Sequence, residues 1–485
     1  MRSKLAMLLA IAVCVTALWA AWGPEEQLTS SDPYGNSGPN IVVGTNNYRH
    51  LLWASRNHAN VLRLYKRWYP ETGWTSTYTI KSPAKYCTGN YAIALDGNGT
   101  SIHVVWQAYD PGRVIDTRAY YAKCVPGKTG TGGWGQSICL TPDRRTSCVD
   151  VAGFSDRVAV AFNQTDPAIG FKECIAGTWQ PTEHIYVPFG KPSQVSIAAD
   201  PQNRHGDVYI LFSVGDKVYV TRRLGDEWQD PELALACEGE EGYGSSYGAT
   251  IEVDPTTGCP HIVSHYNVYK GTYQGPRHIY STYWDPVLGW HGLEMISDPS
   301  ALNSRNPRMC FSDGSVYAVW ADEADGIPGI VYRVRTDGTW GTPGWVTSGY
   351  DDGSPDIAPA PGSALYCVWS DGRSSPVQIW GSPYTSGSFG GQAADLVASD
   401  RGFALDAGPN PCSRGTVVRY SLPAAADVAL RLYDASGALA KTVASGSVDA
   451  GQHTASLSAQ GLTRGVYILK LEAGSDNLTR KLVIN

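Results

Sequence analysis

The sequence of 485 residues has little charge and little phenylalanine. Charged residues make up 17% of it and the formal net charge is −7. It therefore lacks the basic surplus that nucleic-acid-binding proteins carry. Eight phenylalanines stand against 16 tryptophans and 28 tyrosines, whose rings carry a polar group and suit half-buried strands, interfaces and sugar-binding surfaces. The 53 glycines and 30 prolines indicate many turns and little long helix.

Long apolar runs are missing as well, with one exception at the N-terminus. Residues 1–4 form a positively charged segment, residues 5–19 are apolar, and two small residues, Ala20 and Ala21, follow. This pattern predicts a secretory signal peptide over residues 1–21. A membrane anchor is the alternative, but the run is shorter than the roughly 20 residues that cross a bilayer. We therefore expect an exported protein with no membrane span after cleavage.

The cysteines do not form a metal-binding pattern. None of the 11 cysteines is spaced as in Cys-x-x-Cys and no histidine cluster accompanies them, so we predict neither a metal site nor a cofactor. Disulfides are permitted in an exported protein. Cys124 and Cys139 flank a glycine-rich turn almost symmetrically, which predicts that they face each other on a hairpin and form a disulfide. The other cysteines cannot be connected from the sequence.

A repeat of about 50 residues fills most of the chain. Each copy has an apolar run ending in an aromatic residue, with a β-rich run before it and another after it, and then, in six copies, a tryptophan. Four short strands with turns between them are typical of a β-propeller blade. The apolar runs are Leu51–Trp53, Val104–Trp106, Val158–Phe162, Val208–Phe212, His261–Tyr266, Tyr317–Trp320 and Tyr366–Trp369.

The seventh outer strand lies at the other end of the chain. Residues 22–29 resemble residues 134–141, where Trp134 begins an outer strand. We therefore predict an all-β fold with a seven-bladed propeller over residues 22–383, in which the N-terminal strand completes the last blade and removes the open edge. A six-bladed ring with an extra sheet is the alternative.

The repeat stops before the C-terminal residues. Residues 384–407 include a Gly/Ser-rich stretch that predicts a linker. Alternating strands over residues 408–485 then predict a small Ig-like β-sandwich.

Residues 408–485 resemble the C-terminal sorting domain of the type IX (Por) secretion system. The resemblance rests on Pro409–Pro411, Val418–Leu422, Leu432–Gly437 and Gly465–Tyr467. It implies that the secretion machinery is a partner and that the protein is secreted or displayed on the outer-membrane surface. An Ig-like module of the flagellar-hook-cap type is the alternative.

The repeats resemble sialidase-like propellers with BNR or Asp-box motifs. The resemblance rests on Val319–Asp322, Val368–Arg373 and Thr336–Trp340. Sialidases hold a substrate carboxylate with three arginines and use a Tyr–Glu pair and an acid/base Asp. The early Arg-Ile-Pro pattern of that family is absent, since Tyr48–Leu51 lacks the proline, and no catalytic residue can be assigned. Motifs such as Gly-x-Ser-x-Gly and His-Glu-x-x-His are absent too.

The largest polar loops on one face of the predicted ring belong to the fifth blade. Carboxylates, tyrosines, His and Arg together could bind a glycan or move protons. Solvated loops whose tyrosines pack on each other are the alternative. Asp371 and Arg373 share this face, where we expect ion pairs. The candidate ligand-binding residues are Glu240, Glu241, Tyr243, Tyr247, His265, Tyr269, Tyr273 and Arg277.

The sequence favours an exported propeller that acts as a binding or scaffold module for a glycan or a protein. A sialidase-like glycoside hydrolase or a polysaccharide lyase is the alternative. The two hypotheses differ in the central channel of the ring. A channel lined only by small and apolar groups would exclude the enzyme, whereas carboxylates and arginines converging there would favour it.

Overall fold

The structure is a computed structural model of the chain. The predicted signal peptide up to Ala20 and residues 386–403 of the predicted linker lie outside the described residues. Described are residues 21–29, 35–57, 60–80, 87–110, 113–125, 133–200, 202, 204–205, 207–236, 248–270, 273–324, 326–350, 352–361, 364–373, 375–385, 404–408, 412, 415–422, 424–434, 437–449, 451–474 and 476–484.

The described residues form 41 strands. The first two belong to the last blade. They are β1 (Ala21–Trp22) and β2 (Glu26–Gln27).

Blades 1 to 3 follow in chain order. Blade 1 contains β3 (Asn36–Val43), β4 (Arg49–Asn57), β5 (Asn60–Tyr69), β6 (Gly73–Trp74) and β7 (Tyr78–Thr79). Blade 2 contains β8 (Cys87–Leu95), β9 (Ile102–Asp110), β10 (Arg113–Cys124) and β11 (Ile138–Cys139). Blade 3 contains β12 (Val149–Phe154), β13 (Arg157–Asn163), β14 (Ala168–Ile175), β15 (Thr178–Trp179) and β16 (Glu183–Tyr186).

Blades 4 to 7 complete the ring. Blade 4 contains β17 (Gln194–Ala199), β18 (Val208–Val214), β19 (Lys217–Leu224), β20 (Glu227–Trp228) and β21 (Glu232–Ala236). Blade 5 contains β22 (Thr250–Val253), β23 (Pro260–Lys270), β24 (Tyr273–Asp285), β25 (Gly289–Trp290) and β26 (Glu294–Met295). Blade 6 contains β27 (Arg305–Ser312), β28 (Ser315–Ala324), β29 (Ile327–Thr336), β30 (Thr339–Trp340) and β31 (Gly344–Ser348). Blade 7 adds β32 (Gly353–Ala360), β33 (Ala364–Asp371) and β34 (Gln378–Thr385).

Each blade is one antiparallel sheet. The innermost strand is the first in sequence in blades 1 to 6 and β32 in blade 7. In most blades the outermost strand is split into two short segments that both pair with the third strand. The seven innermost strands contact one another in sequence, and β32 contacts β3, so the ring is closed. The predicted seven-bladed propeller is confirmed.

The N-terminal strand completes blade 7, as the sequence predicts. Trp22 in β1 pairs with Tyr384, and Glu26 in β2 pairs with Gly381. Blade 7 therefore joins residues from both ends of the propeller, which leaves no exposed sheet edge at the junction.

The repeated tryptophans hold the blades together. Trp53, Trp106, Trp320 and Trp369 lie within the middle strands and are at most 1% exposed. The tryptophans that begin outer strands pack towards a neighbouring blade. For example, Trp228 lies edge-on to Phe171 of blade 3, with ring centroids 5.0 Å apart. Most of the tryptophan surplus is thus blade packing.

The structure contradicts the predicted Cys124–Cys139 disulfide. Cys139 pairs with Tyr120, whereas Cys124 lies opposite Trp134. Four residues of strand separate the two positions, or about 13 Å, and cysteines whose Cα atoms are more than about 7 Å apart cannot be bridged without backbone movement. The glycine-rich turn lies almost midway between the two cysteines in the sequence. The strand register of the hairpin nevertheless places them at different levels.

The C-terminal residues form two antiparallel sheets around a core of their own. One sheet has the order β35-β36-β39 and the other β38-β37-β40-β41. Leu430, Leu469 and Leu482 of the second sheet share a buried cluster with Val418 and Leu457 of the first. The strands are β35 (Ala404–Gly408), β36 (Gly415–Leu422), β37 (Ala426–Tyr433), β38 (Leu439–Val448), β39 (Gly451–Ser458), β40 (Gly465–Ala473) and β41 (Asp476–Ile484). An Ig-like topology remains a prediction.

Candidate functional site

The seven innermost strands enclose a central channel. Because successive strands are antiparallel, the segment entering each innermost strand and the turn between its second and third strands lie on one face of the ring. We call this face the upper face. Each innermost strand runs downwards from it, with one edge unpaired towards the axis.

Bulges at the upper ends of three innermost strands direct polar side chains towards the axis. Near Asn40, Arg308 and Asp356, three residues of the innermost strand oppose two of the middle strand. Each of the three follows a proline, and the residue before that proline has a positive φ: 61° at Gly38, 54° at Asn306 and 47° at Ser354. Bulges often occur beside functional sites, where they re-aim a side chain.

One register position defines an upper ring within the channel. Its members lie opposite the residue just before the middle-strand tryptophan or phenylalanine. In blade 5, Ser264 occupies that aromatic position, and the member lies opposite Val263. The seven residues are Asn40, Ala92, Asp150, Ser196, Thr250, Arg308 and Asp356. Two carboxylates and one guanidinium therefore occupy the same level in three different blades.

The two aspartates also satisfy the unpaired edges of neighbouring strands. Asp150 accepts hydrogen bonds at 3.0 Å from the amide of Ile197 and the hydroxyl of Ser196, both in blade 4. Asp356 accepts the amide of Ile41 in blade 1 at 2.7 Å. These bonds link adjacent blades near the axis and hold the carboxylates in place.

Arg308 is the cation of this level. Its Nε lies 3.9 Å from Oδ1 of Asp356, and its side chain remains 39% exposed. Burial raises the pKa of Asp150, across the channel in blade 3, and the charge of Arg308 opposes this rise. Arg308 therefore faces carboxylates on two sides and keeps donors that can reach a ligand.

Glu252 lies one level below, two residues further along β22 than Thr250. The equivalent positions in the other blades are small or apolar: Val42, Ala94, Ala152, Ala198, Cys310 and Ala358. The side chain of Glu252 is open to the channel. No described residue forms a hydrogen bond to its carboxyl group.

Their surroundings separate the pKa values of these carboxyl groups. Although it is open to the channel, Glu252 is enclosed by the innermost strands. This loss of solvent raises its pKa to about 8, and the charges of Asp150 and Asp356 act in the same direction. Burial raises the pKa of Asp356 only to about 6, because Arg308 and the Ile41 amide oppose it. At neutral pH, Glu252 therefore holds a proton and Asp356 is ionised.

The ligand-binding residues predicted from sequence are only partly described. Glu240, Glu241, Tyr243 and Tyr247 lie outside the described residues, as do the side chains of Tyr269 and Tyr273. Their role remains a prediction.

His265 and Arg277 are described, and the fold brings them together. His265 is 6% exposed, and burial together with the charge of Arg277 lowers its pKa to about 4. Its Nδ1 accepts the amide of Asn306 at 3.4 Å, in the bulge two residues before Arg308. A neutral imidazole therefore lies beside the upper end of the channel.

None of the polar and charged channel residues is among the ligand-binding residues predicted from the sequence. One signal could have revealed three of them: a small or amide residue, a proline and a polar residue recur in Gly38–Asn40, Asn306–Arg308 and Ser354–Asp356. Glu252 follows no such motif, and its position in the channel can be derived only from the register of β22.

In the described part of the chain, no three or more His, Cys, Asp or Glu residues are arranged to hold a metal ion. No helix in that part has the length and hydropathy needed to cross a membrane.

Several solved structures resemble the propeller, and the first of those named here supports the fold. Polysaccharide lyase Uly1 is 14% identical with a TM-score of 0.51, and the match covers 74% of this chain and 91% of the lyase. The GH93 α-L-arabinofuranosidase of Fusarium graminearum, solved with arabinobiose, is 9% identical with a TM-score of 0.44, covering 75% and 97%. The Dos1 propeller is 10% identical with a TM-score of 0.41, covering 72% and 79%. At these identities the likeness concerns the fold.

The C-terminal residues have a clear family. No curated protein matches the chain, but residues 408–485 match the family described as the secretion system C-terminal sorting domain. The likeness of the repeats to BNR propellers remains a prediction. The chain is thus a seven-bladed propeller with a type IX sorting domain, and it is secreted or attached to the cell surface.

Proposed function

We propose that this exported propeller recognises a glycan at the upper end of its central channel and hydrolyses a glycosidic bond there. Glu252 is the general acid, Asp356 is the carboxylate that acts as base or nucleophile, and Arg308 binds substrate hydroxyl groups. The observation that carries this proposal is the carboxyl cluster in the channel, where Glu252 is protonated and Asp356 is ionised at neutral pH. Glycoside hydrolysis needs two carboxyl groups in these two states.

The channel contains three carboxyl groups and an arginine from four blades. Charged groups of both signs that converge in the channel favour an enzyme over a module whose channel is lined only by small and apolar groups. The polysaccharide lyase and the arabinofuranosidase named above are propeller-like proteins that act on glycans, which fits a glycan substrate.

A β-eliminating lyase is the second candidate, and His265 is the observation that favours it. Elimination needs a base and a cation that neutralises the substrate carboxylate. The neutral imidazole of His265 and the guanidinium of Arg277 are groups of these kinds.

Turnover measurements separate the two reactions. The mature chain should be incubated with neutral oligosaccharides, sialosides and uronate-containing polysaccharides. Hydrolysis releases saturated reducing ends, whereas elimination releases an unsaturated sugar that absorbs ultraviolet light. Glu252→Gln should lower hydrolysis by about 10²–10⁴-fold while glycan binding is retained. Glu227→Gln, on the exposed outer strand β20, is the matched control and should leave turnover unchanged.

Two results would contradict hydrolysis. Full turnover in Glu252→Gln would remove the proposed acid. Binding without turnover on the whole panel, weakened by Arg308→Ala, would leave a glycan-binding module and refute the catalytic part alone.

A further inference from the structure

A buried polar pair recurs beneath the middle-strand tryptophans of blades 6 and 7. In blade 6 the indole N–H of Trp320 donates to Asp322, and the hydroxyl of Ser304 donates to the same carboxylate at 3.2 Å. In blade 7 the indole N–H of Trp369 donates to Asp371 at 3.0 Å. The residue in the position of Ser304 is Asp352.

The strand register establishes this equivalence. Arg305, which follows Ser304, pairs with Ala321. Gly353, which follows Asp352, pairs with Ser370. Both innermost strands then continue through the same bulge.

Blade 1 has a related pair that also contains its own donors. There Asn36 accepts the indole N–H of Trp53 at 2.8 Å and lies opposite Ser55. Blades 1 and 6 thus each supply an amide or hydroxyl donor to the pair. Blade 7 supplies two carboxyl groups, and as carboxylates neither has a hydrogen to donate.

Asp352 is buried at this position without any donor. It is 2% exposed, Asp371 is 0% exposed, and both carboxyl oxygens of Asp352 are buried with no hydrogen-bond donor. The two carboxyl groups are within hydrogen-bonding reach of each other. Two buried carboxylates in contact would repel each other strongly, whereas one proton between them removes the repulsion and forms a strong hydrogen bond.

We propose that Asp352 and Asp371 share one proton, with Asp352 as the donor in the place of the Ser304 hydroxyl, and that this proton helps to keep the propeller ring closed. The link to closure is Arg373. Its guanidinium binds Asp371 at 2.6 Å and Glu25, next to β2, at 2.6 Å. It is held between the rings of Tyr350 and Trp380.

Loss of the proton places a second negative charge beside Asp371, where it competes with Glu25 for Arg373. The charged groups around Asp352 are Asp371 from β33, Arg373 from the turn after it, Glu25 from the N-terminal segment and Arg305 from β27, which donates to the main-chain oxygen of Asp352. Burial raises the pKa of Asp352 to about 9, with the charge of Asp371 acting in the same direction. The pair therefore keeps its shared proton at neutral pH and loses it under alkaline conditions.

A carboxyl titration tests the shared proton directly. In the mature chain with ¹³C-labelled aspartate, one carboxyl resonance should remain protonated at neutral pH and titrate near pH 9. This resonance should disappear in Asp352→Ser, which reproduces the pair of blade 6. If no aspartate of the wild type titrates near pH 9, the proposal is wrong, whatever the variant does.

The reverse substitution provides a matched test. Ser304→Asp recreates the pair of blade 7 in blade 6 and should add a second carboxyl resonance that is protonated at neutral pH. If Asp352→Ser does not fold, Asp352→Asn, which supplies an amide donor, replaces it in the first experiment.

Hydrogen exchange tests the link to ring closure. The amide of Leu28 donates to Ile379 across the closing strand. Because the pKa of Asp352 is about 9 in the folded protein and about 4 in an unfolded chain, the protection factor of this amide should fall as the pH rises from about 4 to about 9 in the wild type. It should change little over the same range in Asp352→Ser. Equal loss of protection in the two proteins would refute the link to closure.

Discussion

Gly23 donates its backbone N–H to the carbonyl oxygen of Pro383 at a distance of 2.6 Å. The bond joins the N-terminal segment to the third strand of blade 7. It requires close approach of the two backbones, since a Cβ atom on Gly23 would lie 2.9 Å from Cγ of Pro383. Closure of the ring therefore depends on a residue without a side chain at this position.

Gly23→Val should destabilise the propeller. The added side chain has to displace Pro383 or the closing strand, and overpacking of this kind costs about 1–3 kcal/mol. Thermal or denaturant unfolding measures the change. Gly292→Val is the control, because a Cβ atom there meets open space. Equal stability of the two variants would show that the Gly23–Pro383 contact adjusts without cost.

The pH dependence of turnover should be bell-shaped. Asp356 has to be ionised, so activity should rise as the pH increases through about 6. Glu252 has to hold its proton, so activity should fall as the pH increases through about 8. The pH profile of kcat/KM reports these values for the free enzyme. In Arg308→Met the acidic limb should move to higher pH, because the arginine charge lowers the pKa of Asp356. An unshifted limb would exclude Asp356 as the base.

The fold was predictable because its signals repeat. The spacing of the middle-strand runs gave the blade number, and the likeness of residues 22–29 to residues 134–141 gave the closing strand. Trp68, Trp284 and Trp380 fit neither tryptophan set in the sequence. In the structure each has a guanidinium over its ring, from Arg49, Arg222 and Arg373 respectively. These arginines come from other segments of the chain, and the spacing of the tryptophans in the sequence does not reveal them.

The site was less predictable than the fold. Loop length and composition favour the loops of blade 5 as the ligand-binding site, and of the residues predicted there only His265 and Arg277 have described side chains. The channel cluster brings together residues about 50 to 200 positions apart in sequence, and no local pattern indicates which faces of short apolar strands meet at the axis. The pKa of Glu252 follows from enclosure by seven strands, a property of the ring as a whole.

Arg223 should be essential for the stability of blades 3 and 4. It is 4% exposed and binds Glu173 of blade 3 at 3.0 Å and Asp207 of blade 4 at 2.8 Å. Arg223→Met leaves Glu173 and Asp207 with only Arg157, whose side chain is 37% exposed and whose Nη1 lies 3.3 Å from Glu173 and 3.8 Å from Asp207. The loss of the buried cation should cost about 3 kcal/mol in the free energy of unfolding.

Arg144→Met is the matched comparison for Arg223. Arg144 pairs with Asp166 at the surface, with both side chains nearly half exposed, so its loss should cost less than about 1 kcal/mol. Denaturant unfolding of both variants measures the difference. Similar costs would mean that the buried network contributes no more than a surface pair.

Removal of the sorting domain should block export without unfolding the propeller. The domain has its own buried core, formed by residues of its two sheets. Deletion of residues 408–485 should therefore leave a folded propeller in the periplasm, detectable by fractionation and by an unchanged unfolding transition. Surface delivery of the truncated chain would show that the export signal lies elsewhere.

Acid should destabilise the propeller through buried neutral histidines. His50 and His103 occupy equivalent positions in the middle strands of blades 1 and 2, and each ring lies 2.7 Å from a tyrosine hydroxyl, of Tyr65 and Tyr121 respectively. Burial, with a smaller effect from nearby cations, lowers the pKa of His50 to about 3 and that of His103 to about 4. In the unfolded chain both titrate near their ordinary value of about 6.5.

The direction of the pH dependence of stability follows from these pKa values. Below about pH 6.5 the unfolded chain binds protons that the folded chain does not, so stability falls as the pH decreases from about 6.5 towards 4. For His103 the loss is roughly 3 kcal/mol over this range. His103→Phe gives up a hydrogen bond worth about 1 kcal/mol at neutral pH, but its free energy of unfolding should depend less steeply on pH. His184→Phe, at an exposed position of β16, should retain the wild-type slope. An unchanged slope in His103→Phe would mean that His103 accepts its proton within the folded ring.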